Sequence, residues 1–184
     1  VRSRRQRQMC IRDSTKIKAT DGKKLETAQE AYDKVKNSED GLTIDPKLAE
    51  KFEASRTAYY AYQQQAEDFR SEYLDVLPKD ANAVTAEYET AIPAARTAYK
   101  ALSKNVQSFI EKAEVSHLSA CEKTLKKSKS AAVKVDKLIA KLPADVNAEF
   151  TAKDEKAINA AWKAYSKLTD EQKTFCLLYT SPSP

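Results

Sequence analysis

The chain has 184 residues, 41% apolar and 32% charged, at a mean hydropathy of −0.67. That balance is expected of a chain folded in water, and no window approaches the roughly 18 uninterrupted apolar residues that a membrane-spanning helix needs, so no membrane insertion is expected. Two glycines leave little room for tight strand turns or a phosphate-cradling loop, and they point to an all-α fold. The net charge of +5 hints at polyanion binding until it is located: Arg2, Arg4, Arg5, Arg7 and Arg12 stand against Asp13 in residues 1–14, and residues 176–184 carry no charge. Between Thr15 and Phe175 there remain 27 basic and 26 acidic side chains, a net of +1, so no nucleic-acid partner is expected.

Residues 1–14 and 176–184 resemble translated sequencing-adapter read-through and are expected to be non-native or disordered ends outside the fold. Of three cysteines, Cys10 and Cys176 fall in those ends, leaving Cys121 as a buried small hydrophobe and excluding a disulfide scaffold.

In chain order, Leu25, Ala28, Tyr32 and Val35 predict a short first helix, broken by residues 36–41. Asp45 before Pro46 predicts the start of a long helix running to about Leu77, because Asp accepts from first-turn amides and Pro occupies a position whose amide has no helical partner. Its seam is Phe52, Ser55, Tyr59, Tyr62, Ala66, Phe69, Tyr73 and Val76. Adding 66 to each number gives Leu118, Cys121, Leu125, Ser128, Ala132, Val135, Ile139 and Leu142, a second seam of the same rhythm. The loop Leu77-Pro78-Lys79-Asp80-Ala81-Asn82-Ala83 recurs as Leu142-Pro143-Ala144-Asp145-Val146-Asn147-Ala148 at an offset of 65, and the one-residue slip is expected to fall in the connection.

The offset of 66 returns beyond the loop, where Ile92, Ala95, Tyr99 and Leu102 match Ile158, Ala161, Tyr165 and Leu168. A helix over about 84–102 is predicted, with Pro93 as a misfit inside it. Ser103 and Thr169 then cap short helices, Thr169 in the spacing of a capping box with Gln172. The five-residue step from Ala113 to Leu118 predicts a break at Glu114–Ser116 and a long helix over about 117–141. The resulting expectation is an elongated array of tandem three-helix-bundle repeats of about 66 residues: a partial first repeat over 15–77, a second over 78–142 and a truncated third over 143–175.

The run from Ile158 to Lys173, with Ala161, Ala164-Tyr165, Leu168-Thr169 and Gln172-Lys173, resembles the helical repeats of large surface proteins of Gram-positive bacteria, which carry an Ala-x-x-Ala-Tyr-x-x-Leu-Thr-x-x-Gln-Lys pattern. Leu138-Ile139-Ala140-Lys141-Leu142-Pro143 matches the Leu-Ile-x-x-Leu-Pro end of their preceding helix. The middle copy departs from the pattern at Lys104-Asn105-Val106-Gln107, and the first has a glycine-containing loop in place of the short helix. The resemblance implies an extracellular, cell wall-attached spacer or stalk whose partners are neighbouring repeats, with wall polymer or a host protein as a candidate further partner, and with no catalytic residues and no cofactor.

One histidine, no Gly-rich loop and no Cys/His cluster at metal spacing argue against an enzyme. His117 is expected to be solvent-facing or beside a cap, and Glu122 to pair with Lys126 one turn on. Two candidate ligand surfaces stand out: the stripe Lys123, Lys127, Lys134 and Lys141, and Tyr60, the exposed neighbour of Tyr59 and Tyr62, which belong in the core. For both, a solvated surface is the plainer reading. A helical ligand-binding, adhesin-like module and an intracellular coiled-coil interaction protein are the alternatives to a stalk.

Overall fold

A computed structural model describes residues 16–38, 43–142 and 151–176. Among the described residues there are seven α-helices and no strand, so the fold is all-α. They are α1 (Gly22–Lys36), α2 (Pro46–Phe69), α3 (Ala91–Ala101), α4 (Lys104–Gln107), α5 (Lys112–Ile139), α6 (Ala152–Tyr165) and α7 (Asp170–Lys173). Residues 143–150 of the second Leu-Pro loop and beyond it, the terminal segments apart from Cys176, and part of the break after α1 lie outside the described residues.

Local chemistry explains most helix ends. Asp45 caps α2 by accepting from the Lys47 amide at 2.8 Å, with Pro46 at the first position. Ser103 caps α4, and Thr169 with Gln172 forms a capping box on α7. A further box starts α6, where hydrogen bonds from the Thr151 hydroxyl and then its amide hold the Asp154 carboxyl below its ordinary range. Helix α3 begins at Ala91, after a 3₁₀ turn at Ala86–Tyr88, rather than near 84. That later start resolves Pro93, which sits in the first turn where amides have no helical acceptor.

Expectations about the long helices are corrected at several points. No break occurs at Glu114–Ser116, because α5 runs unbroken through them; half-buried Val115, three residues before Leu118, carries the rhythm across the apparent gap. The chain instead breaks at 108–111. The first long helix does not stay α-helical to Leu77, since Arg70–Leu74 forms a π-helical turn. This turn holds the extra residue that changes the offset from 66 to 65 inside the helix, while the return to 66 by Ile92 and Ile158 falls in the connection, as expected. Val76 is consequently rotated outward, 52% exposed, and Leu77 takes the buried place. Tyr59 and Tyr62, expected in the core, are half-buried.

The chain divides into two compact units. One comprises the described residues up to Glu72 together with Thr97–Lys112. In it Tyr32 stacks on Phe52 at 5.2 Å between ring centroids and Tyr59 meets Phe109 edge-on at 5.0 Å, while Ala66, Phe69, Val106 and Ile110 are buried. The Gln107 amide donates to the carbonyls of Tyr99 and Leu102, satisfying the exposed end of α3.

The other unit comprises Tyr73–Arg96 and the described residues from Ala113 onward. Its core is Leu77, Val84, Ile92, Ala95, Leu118, Cys121 and Leu125, with Tyr73, Leu74, Tyr88 and Phe175 packed against it. The Thr174 hydroxyl accepts from the Ala86 amide at 2.9 Å. Cys176, expected outside the fold, is fully buried, and burial pushes its thiol up.

Candidate functional site

The lysine stripe is built by α5, whose buried seam of Leu118, Cys121, Leu125, Ser128, Ala132 and Val135 turns Lys123, Lys127 and Lys134 outward. All three are exposed. Lys141 lies past the helix, in a turn where its amide donates to the Leu138 carbonyl, so three of the four residues form a helical stripe and the fourth extends it. Lys129, off the stripe, pairs with Glu89. Arranged this way, the stripe is a row of solvated cations on one helix.

Tyr60 belongs to the other unit. It is 61% exposed, with its ring edge-on to Tyr59 at 5.6 Å, so its phenol is presented to solvent from a supported position. Among the described residues, shallow grooves lie along single helix segments, one lined by Lys23, Lys24, Thr27, Ala28 and Ala31 and another by Thr151, Ala152, Glu155, Ile158 and Asn159. Neither encloses a small molecule.

His117 is half-buried within α5, not solvent-facing at a break, and its Nε2 lies 2.8 Å from the Pro78 carbonyl and 3.6 Å from Cys121 Sγ. A carbonyl only accepts, so Nε2 carries the proton and has no lone pair for the thiol. Burial raises the Cys121 thiol further from ionisation. The pair ties the loop after Leu77 to α5 and lacks the geometry of an activated nucleophile. Glu122 also departs from expectation: it receives both Nε (2.8 Å) and Nη2 (2.7 Å) of Arg96, which donates to the Ser119 hydroxyl as well. No group of three or more His, Cys, Asp or Glu placed to hold a metal occurs among the described residues, and no helix there is long and apolar enough to cross a membrane.

One surface was missed by sequence reasoning. On α6, Ile158 is 37% and Trp162 67% exposed, with Trp162 stacked on Tyr165 at 6.1 Å and the Lys173 ammonium 5.8 Å from the Tyr165 ring centre. Apolar spacing gave no sign of it, since Ile158 matches Ile92, which is fully buried. No protein-family model, curated protein or solved structure matches the chain.

Proposed function

We propose that the chain is a non-catalytic spacer segment of a bacterial cell-surface protein, built from tandem three-helix repeats of about 66 residues. The observation that carries this reading is a 66-residue spacing shared by some helix boundaries, though not by those of α3 and α6, which start 61 residues apart at Ala91 and Ala152. Helices α2 and α5 start 66 residues apart, at Pro46 and Lys112, and α4 and α7 are 66 apart at both ends. Buried Ile110 and Cys176 extend the same offset. Repeats of this kind bury surface chiefly against their neighbours and add length at small sequence cost. The extracellular, wall-attached location rests on the resemblance of Ile158–Lys173 and Leu138–Pro143 to Gram-positive surface repeats.

Small-angle scattering on residues 15–175 tests the proposal. A compact chain of that length has a radius of gyration of about 15 Å. An elongated array gives a clearly larger value and an asymmetric distance distribution, and a value at the compact limit overturns it.

Exposed Tyr60 supports a second reading, an adhesin-like module gripping a host protein or wall polymer. Tyr60→Ala then weakens retention on immobilised wall polymer or host matrix protein several-fold without moving the melting temperature. Equal retention of the two proteins removes that reading.

A further inference from the structure

The chain holds two helices of matching sequence, α3 and α6, but only one has its equivalent face covered. In α3, Ile92 and Ala95 are fully buried in the core with Leu118 and Cys121 of α5, and Arg96 reaches across to Ser119 and Glu122 of the same helix. In α6 the positions 66 residues on are Ile158, Ala161 and Trp162. Ala161 is buried, whereas Ile158 and Trp162 face solvent, and a shallow groove runs from Ile158 past Glu155 to Thr151. A large aromatic and a β-branched side chain side by side in water, at positions that elsewhere in the molecule meet a long helix, form an interface without its partner.

We propose that the Ile158–Trp162 face of α6 docks a further long amphipathic helix of the α5 design. The inference rests on the repeat reading above. The occupant is set by what covers the α3 face: a helix with Leu, Cys or Leu at the positions of Leu118, Cys121 and Leu125, entering after a short capped helix such as α7. Trp162 stands where α3 has Arg96, so the docked helix carries an apolar or small residue, not a carboxylate, opposite it at the place of Glu122. A charged side chain there would be desolvated by the indole without a partner.

Trp162 is the only tryptophan in the chain and therefore reports on its own burial. The test compares acrylamide quenching and emission of the chain with those of a version in which a copy of Glu111–Leu142, carrying Glu122→Ala at the copied position, follows Cys176. The expected result is a several-fold fall in quenching and a blue shift in the extended protein. Ile158→Lys in the extended protein restores quenching, while Lys156→Ala, on the opposite side of α6, leaves it low. Unchanged quenching on extension overturns the proposal whether or not the added segment is helical by circular dichroism, as does protection that survives Ile158→Lys. Scattering from the unextended chain separates the two readings: if that chain is elongated and Trp162 stays unprotected in the extended protein, only the docking surface is removed, and a compact chain removes the repeat reading itself.

Discussion

Gly22 shows how a single residue is held by its neighbours. It opens α1 with ordinary right-handed backbone, so conformational freedom is not its reason for being there. A Cβ built on it would stand 2.6 Å from the Tyr59 hydroxyl and 3.3 Å from the carbon bearing it. Gly to Ala in a helix ordinarily gains up to about 1 kcal/mol. Here the Tyr59 ring is packed edge-on against both Phe109 and Tyr60 and has little room to move. Gly22→Ala is expected to lose about 1 kcal/mol in urea denaturation through this overpacking, and Tyr59→Phe in the same protein to recover most of it. A stabilising Gly22→Ala would show that the ring yields freely. Exposure of Tyr60 and burial of Cys121 were legible from helical spacing alone. The role of His117 was not, because its acceptor, the Pro78 carbonyl, lies 39 residues away in sequence.

At the scale of elements, apolar spacing gave the right number and order of helices over the described residues, and cap chemistry placed the starts at Pro46, Lys104 and Asp170. What it missed were departures from one uniform period: Val115 bridging a gap that looked like a break, and the π turn at Arg70–Leu74. The turn makes a sharp prediction, since a π turn accommodates one inserted residue while the helix on either side keeps its facing. Deleting exposed Ser71 should restore a plain α-helix with both seams aligned and change stability by no more than about 1 kcal/mol. Deleting exposed Lys127 from α5, which has no such turn, moves Lys129 and Asp136 into the buried places of Ser128 and Val135 and should cost more than about 3 kcal/mol. Urea denaturation of the two proteins checks this. Equal losses would mean that the turn is not the site of the insertion.

Over the whole molecule, each compact unit joins segments that are separated in sequence, so no window of the chain carries the signal that assembles it. Exposure of Ile158 and Trp162 was hidden for the same reason: their spacing is that of a core face, and only the identity of the covering helix decides whether they are buried. Net charge, in contrast, is a property of the chain as written, and its distribution makes the last prediction. Phosphate and sulfate polymers bind through released counterions, so retention on heparin follows the number of cations acting together. Five arginines against one aspartate within residues 1–14 provide such a cluster, while residues 15–175 balance to +1. The full chain should therefore be retained on heparin at low salt and the chain lacking residues 1–14 should elute without retention. If the shortened chain is still retained, and Lys127→Gln with Lys134→Gln abolishes it, polyanion binding belongs to the α5 stripe of Lys123, Lys127 and Lys134. The wall-polymer reading would then gain a defined surface.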